Sequence, residues 1–520
     1  MLPYYISLPL MLFLPLAAAI AFRRRSGAAW WLFVVGMVTF LGSQLYHLPL
    51  NGWLADLGLI GPVSADDPGF VRTALVLGLS AGLSESLARA AGYWLLFRRR
   101  LAQRWADGVM VGLGHGGIEA MGFISTIMAA SLAALWGLRG TDLATLNLPA
   151  DQLAQLSEQL AALDGAAWLA FLPLAERALA MTLHVVLSLL VWRAFERRNV
   201  LYWLTAVFYH SLFDATAVYL SQTVATGWVY LAFGILLLPG LLWLRAATRA
   251  PLPPPALPPL RAELRLFGVA LRKELRQQWH TRRVLIVMAV FVLFGLGSPL
   301  LAKYTPQMLT MIEGAEQFAD LIPQPTTADS LAQYVKNITQ FGFLIAILLG
   351  MGAVAGEKER GTAALILSKP LPRWAFVLSK FTAQALVYAA AFAAAGLGAY
   401  YYTAILFEPF HFGAFLLGNG LLLLWLLTFT AVTLLGSTLG GSTSSAAGIA
   451  LVGAIVLLLA GSIPPLAPFA PSSLIAGASQ LGLPGAAAGF SASAAATVAC
   501  TALIIALLVT AVAAIEGQEL

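Results

Sequence analysis

Glutamate, aspartate and histidine recur inside stretches of this chain that are otherwise apolar: Glu85, His115, Glu119, His184, His210 and Asp214. Such groups are costly in hydrocarbon unless they meet a partner, a cavity or a metal, so an intramembrane cluster is a functional site by default. Helical spacing pairs them, because His115 and Glu119, His210 and Asp214, and Glu85 and Arg89 each stand at i and i+4 and share a face. Depth groups them again. Counted at ~1.5 Å per residue from the basic end of each span, the three histidines lie roughly 12 to 15 Å in and the three acids roughly 18 to 21 Å.

Four helices thus deliver imidazoles and carboxylates to one layer. Without cysteine, a tetrahedral zinc site uses these groups: three protein ligands, an open position for water, and a carboxylate to take the water's proton. His115, His184 and His210 are the candidate ligands, with Asp214 joining them or orienting His210. Glu85 and Glu119 are the candidate catalytic acids, and Arg89 would neutralise Glu85 or hold a peptide carbonyl or developing oxyanion. The same residue types serve proton or ion paths, and a single buried histidine is often only a bond between helices, so both readings stand beside the metal one.

The elements that position these groups are membrane helices. Of 520 residues, 60% are hydrophobic and only 10% charged, and the mean hydropathy is +0.83, a composition that excludes a soluble globular protein. The fold class is therefore an all-α polytopic membrane protein in two helical bundles. Bilayer-length apolar runs predict about thirteen spans, seven before residue 247 and six after 283. Arg23, Arg24 and Arg25 follow the first run, which places the N-terminus outside and, after thirteen crossings, the C-terminus in the cytoplasm. On that topology only Arg72, Arg139, Lys303 and Lys336 lie outside, and Arg89 and Arg177 fall within spans. The basic balance therefore reflects cytoplasmic anchoring loops, not nucleic-acid binding. The single cysteine, Cys500, excludes disulfides and thiolate metal sites.

Six prolines between Pro251 and Pro259 forbid a helix and mark an extended spacer. They divide the chain into residues 1–247, a cytoplasmic linker at 248–260, and residues 261–520. After the linker, Leu264, Leu266, Phe267, Val269, Leu271 and Leu275 alternate with basic residues as in an amphipathic helix on the inner membrane face. Leucines 153, 156, 160 and 163 predict a striped helix over 147–165, and residues 303–338 read as a polar loop with a short helix.

The strings GLSESLAR (82–89), GLGHGGIEAM (112–121), LHVVLSLLVW (183–192) and YHSLFDATA (209–217) resemble the YhfC-type intramembrane metalloproteases, relatives of the CAAX prenyl proteases. The resemblance spans residues 1 to about 245. It implies that Glu85 activates water, that His115 and His210 bind zinc, and that Asp214 fills the polar position one turn after the second histidine. His184 and Glu119 match further family positions. The chain departs from the family where paired glutamates precede the arginine, since Ser86 follows Glu85 here. If the second acid is needed for catalysis, the first half would bind metal or peptide without cleaving.

In the second half, GEKERGT (356–362) precedes LILSKPLPR, and LRKELRQQW lies upstream. With the six spans, these strings resemble ABC type-2 exporter permeases over about 261–515. That implies contact with a separate ABC ATPase through Glu357, Lys358, Glu359, Arg360, Gly361 and Thr362, and pairing with a second permease unit, identical or not. The chain has no phosphate-loop motif and no Gly-Lys dipeptide, so ATP would act only through the partner. The expected whole is a multi-pass protein of the bacterial plasma membrane that processes or exports a hydrophobic peptide. Its alternatives are a permease with a non-catalytic receptor domain, or a proton- or metal-coupled path.

Overall fold

The computed structural model describes residues 2–139, 142–143, 150–163, 165–252, 258–310, 324–480 and 486–518, and in them every long element is a helix. Packing divides the chain into two units, Met1–Ser125 with Ala161–Leu257, and Thr126–Leu160 with Pro258–Leu520. Residues 253–257, the centre of the expected linker, lie outside the described residues. Among the described residues, twelve helices are long and apolar enough to cross a bilayer. The thirteenth expected span is present as a 24-residue helix at Val200–Thr223 but falls outside that set. Its polar content explains this, for it carries His210, Ser211, Asp214, Ser221 and Gln222.

The first half runs α1 (Leu2–Ser26), α2 (Trp30–Asp56), α3 (Phe70–Arg98), α4 (Trp105–Ile118), a π-helical turn (Glu119–Ile124), α5 (Ser125–Gly137), α6 (Ala150–Ala162), α7 (Leu172–Arg197), α8 (Val200–Thr223) and α9 (Thr226–Ala247). Local chemistry sets the ends. Asp107 accepts the Gln103 and Arg104 backbone N–H groups at 3.0 and 2.9 Å, satisfying donors at the start of α4 that would otherwise be orphaned. Pro173 opens α7, Arg198 closes it in the left-handed region at φ 50°, and Asn199 caps α8 by accepting the Leu201 N–H at 3.0 Å. In α6 the predicted leucine stripe is kept, with Leu153, Leu156 and Leu160 half-buried and Leu163 buried.

Glycine in α4 has a packing cause. A Cβ at Gly114 would run into the backbone of Phe33 on α2, one at Gly112 would lie 2.7 Å from the Val185 Cα on α7, and one at Gly116 would meet the His184 ring. Gly36 answers from α2, where a side chain would strike the Val111 carbonyl. Small residues let spanning helices approach at backbone distance. The string GLGHGG therefore wedges α4 between α2 and α7 and sets His115 among the helices that carry its partners.

The second half contains α10 (Leu260–His280), α11 (Arg283–Thr310), α12 (Thr327–Gly350), α13 (Ala355–Glu359), α14 (Thr362–Leu367), α15 (Arg373–Leu406), α16 (Phe412–Leu439), α17 (Thr443–Ala460), α18 (Pro471–Gln480) and α19 (Ala486–Glu516). Its core gathers Phe291, Tyr334, Tyr388, Phe392, Trp425 and Phe429 from α11, α12, α15 and α16. Residues 327–338, expected as a short helix in a polar loop, are instead the first turns of α12, which a Thr326–Asp329 capping box begins. The amphipathic α10 exposes Leu260, Leu264 and Val269 beside Arg261, Arg265 and Arg272 and buries Glu263 and Glu274. A mixed basic and apolar outer face suits a membrane surface.

Candidate functional site

Glu85 of α3 is the hub of the first-half cluster. Its Oε2 lies 3.0 Å from His115 Nε2, 3.2 Å from Arg89 Nη2, 3.7 Å from His210 Nε2 and 3.9 Å from His184 Nδ1. The side chains come from α3, α4, α7 and α8, and Glu85, Arg89, His115, His184 and His210 are all buried. Asp214 Oδ2 stands 3.3 Å from His210 Nε2. Glu119, at the start of the π-helical turn, pairs with His184 Nε2 and accepts from Arg177 Nη1 at 2.9 Å. All seven residues singled out in the first half thus converge.

Hydrogen-bond bookkeeping fixes two tautomers. Thr39 spends its hydroxyl proton on the Gly36 carbonyl at 2.7 Å, so at 2.9 Å its oxygen accepts from His115 Nδ1–H. The His115 Nε2 lone pair then faces Glu85. His184 Nδ1 accepts from Arg89 Nη2 at 2.6 Å, which leaves the ring proton on Nε2, the atom that pairs with Glu119. The His184 Nδ1 lone pair is thus taken by Arg89, while His115 Nε2 faces the Glu85 carboxylate at 3.0 Å, where a proton or a metal ion would join the two.

The donor set fits a metal. Glu85, His184 and His210 each present a ligand atom, all within 4.8 Å of one another, and His115 Nε2 adds a fourth beside Glu85. His210 Nδ1, Arg89 Nε and Arg89 Nη1 are buried without a hydrogen-bond partner. Arg89 thus holds Glu85 and His184 with one nitrogen and keeps two free to donate. Ser86, at the departure from the family pattern, is fully buried and its hydroxyl is also unpartnered.

Sequence reasoning passed over Thr39 and the part played by Arg177. The signal for Arg177 was an arginine inside a span. For Thr39 it was weaker, a lone hydroxyl whose value appears only once α2 and α4 touch.

In the second half, Glu357 belongs to a closed square of charges. Lys273 Nζ donates to Glu274 at 2.8 Å and Glu357 at 2.7 Å, while Lys380 Nζ stands 2.9 Å from both acids. Burial works against the Lys273 charge, but Glu274 and Glu357 outweigh it and raise its pKa above the ordinary lysine value. Lys358 donates to the Thr438 carbonyl, and Glu359 accepts from the Thr443 hydroxyl at 2.9 Å at the start of α17. Gly361, at φ +69°, turns the chain between α13 and α14. Arg360, Gly361 and Leu365 are exposed, and Thr362 is half-buried with its hydroxyl on the Glu357 carbonyl.

Fold and site define a polytopic membrane protein with a buried histidine–carboxylate centre in its first half and a second helical bundle after it. Residues 10–233 match the family model for the YhfC intramembrane metalloprotease, and residues 269–481 that for the ABC-2 family transporter protein. The chain thus joins a YhfC-family region to an ABC-2 family permease region. It is 26% identical over 165 residues to the "uncharacterized transmembrane protein YxlG" of Bacillus subtilis, covering 32% of this chain and 64% of that protein. It is 26% identical over 211 residues to the "uncharacterized membrane protein YhfC" of the same organism, covering 39% of this chain and 79% of that one. The "probable ABC transporter permease protein NosY" of Stutzerimonas stutzeri is 32% identical over 120 residues, covering 23% of this chain and 39% of its own. The chain therefore spans less than two thirds of the first and third of these relatives.

Proposed function

We propose that the first half, residues 1–247, is a zinc-dependent intramembrane endopeptidase and that residues 261–520, after the linker at 248–260, form an exporter permease. The observation that carries the reading is the convergence of His115 Nε2, His184 Nδ1 and His210 Nε2 on Glu85 Oε2. His115, His184 and His210 would hold the metal, with Asp214 beside His210. When bound, zinc supplies Lewis acidity that lowers the pKa of water and polarises a peptide carbonyl.

The chain's own residues do the rest. Glu85 takes the proton of the attacking water and returns it to the leaving amine. Arg89 pairs with Glu85 and turns its free Nε and Nη1 toward the carbonyl oxygen, where negative charge develops. Thr39 and Glu119 orient His115 and His184, and Arg177 holds Glu119 in place. The substrate is a hydrophobic peptide in the plane of the bilayer.

In the permease half, the Glu357 square and the Lys358 and Glu359 contacts hold α13 in place, while Arg360, Gly361 and Leu365 face outward to meet a separate ABC ATPase. The permease works with a second unit, in a bacterial plasma membrane with the N-terminus outside and the C-terminus in the cytoplasm. Joining the halves raises the local concentration of one's product at the other.

Ser86 supports a second reading, a metal- or peptide-binding receptor that does not cleave. Glu85→Gln separates the two in reconstituted vesicles carrying the ATPase. Loss of cleavage with metal retained supports the peptidase. Export that continues at the wild-type rate without any cleavage product, in both proteins, supports the receptor.

A further inference from the structure

Thr39, Ser43, His47 and Asn51 stand four residues apart on α2, a helix otherwise apolar on its exposed side at Val38, Leu41, Leu45 and Leu48. The stripe covers roughly 18 Å at ~1.5 Å per residue and winds around the axis by roughly 40° per step. Its deep end is Thr39, in contact with His115. Its shallow end is Asn51, five residues before α2 ends at Asp56.

Partners line it on α3. Asn51 Nδ2 donates to His47 Nε2 at 3.1 Å, Ser80 donates to Asn51 Oδ1 at 2.6 Å and lies 3.3 Å from His47 Nε2. One turn deeper, Tyr46 donates to the Ser84 carbonyl, next to Glu85. Ser43 is fully buried, gives its own proton to the Phe40 carbonyl at 2.6 Å and accepts from Gln44 Nε2 at 3.1 Å, so one lone pair remains as an acceptor, while Thr39 accepts from His115. Since His47 Nε2 accepts from Asn51, His47 Nδ1 carries the proton, and that buried donor has no partner.

A packing role alone accounts poorly for the stripe. Polar groups placed to tie two helices together pair off, whereas this run continues toward the histidine–carboxylate centre and keeps His47 Nδ1 buried without a partner. Hydrolysis, the reading on which this rests, consumes a water that must reach a site buried in hydrocarbon. We propose that the α2–α3 seam is a water path, entered at the face where residues 57–69 join the two helices and lined by Asn51, His47, Ser80 and Ser43. Water on the path accepts from His47 Nδ1 and donates to Ser43.

Cysteine accessibility in the full chain tests this. In a Cys500→Ala background in sealed vesicles, a membrane-impermeant methanethiosulfonate reagent reacts with thiolates, which form in water and not in lipid. Ser43→Cys and His47→Cys are expected to react within about tenfold of Asn51→Cys, and lipid-facing Leu45→Cys about a hundredfold more slowly. Ser80→Leu, which narrows the seam from α3, should slow labelling at Ser43→Cys. Labelling that stops at Asn51→Cys, with Ser43→Cys and His47→Cys as slow as Leu45→Cys, overturns the path. So does reaction at Ser43→Cys unaffected by Ser80→Leu in a chain that still elutes as a single species. The readout requires neither metal nor cleavage, so metal content measured on the same protein judges the peptidase reading separately.

Discussion

Arg89 is the residue on which the first-half centre balances. It is completely buried and pairs with Glu85 at 3.2 Å. Removing one partner of a buried ion pair leaves an uncompensated charge in a medium that cannot solvate it, at a cost of about 3–5 kcal/mol. Arg89→Met should lower stability by that amount in denaturant unfolding, and Arg89→Met/Glu85→Gln should recover most of it. A double variant no better than the single would show that the loss comes from the arginine's packing instead. Thr39 acts at the same scale through one hydrogen bond to His115. Partners behind a metal-binding histidine are typically worth 10–100-fold in metal affinity. Thr39→Val should weaken zinc binding by about that factor and Thr39→Ser should not, as read by competition with a chelator.

Much of this scale was legible in the sequence because i,i+4 spacing and common depth are properties of a straight helix. Glu85 with Arg89, and His210 with Asp214, could be paired without any fold. The contacts that decide protonation were not legible, since Thr39 to His115 and Arg177 to Glu119 depend on which helices become neighbours. His47 escaped for a related reason. It lies alone on α2, and its meaning comes from a period of four in residues as unremarkable as threonine, serine and asparagine.

At the scale of the element, close approach of backbones builds the centre. Gly36 and Gly114 let α2 and α4 cross with no side chain between them, whereas Gly42, on the same helix, has nothing near the position a Cβ would take. Overpacking a close contact costs about 1–3 kcal/mol where the structure can shift, and more where the opposing atoms are backbone. Gly36→Val should therefore destabilise the protein strongly and release bound zinc, while Gly42→Val should leave both unchanged, as followed by thermal unfolding and metal content.

The string GLGHGG carried a family resemblance in the sequence, but its part as a wedge between two particular partners depends on which helices become neighbours. In the permease half, the amphipathic pattern of α10 was plain, yet its burial of Glu274 was not. A carboxylate among basic residues looks solvated until Lys380, 106 positions later, arrives to meet it. The polar segment before α12 was read as a loop because its first turns are polar. A capping box followed by an unbroken helical pattern is the signal that they belong to the span.

For the whole molecule, composition and charge placement decide the class before any contact is known. A chain 60% hydrophobic with basic residues gathered at one end of its spans can only be a polytopic membrane protein. The match of residues 10–233 to one family and 269–481 to another then places two family regions on one polypeptide. What the sequence writes least clearly is substrate, since the walls that meet a hydrophobic peptide are apolar helix faces like those that meet lipid.

The central claim is that the first-half centre holds a metal, and elemental analysis of the purified full-length protein tests it most directly. The account predicts about one zinc per chain, retained in Glu85→Gln and lost in both His115→Ala and His210→Ala while each variant still elutes as a folded species. Protein that takes up no zinc after reconstitution, or variants that bind as much as the wild type, would contradict it.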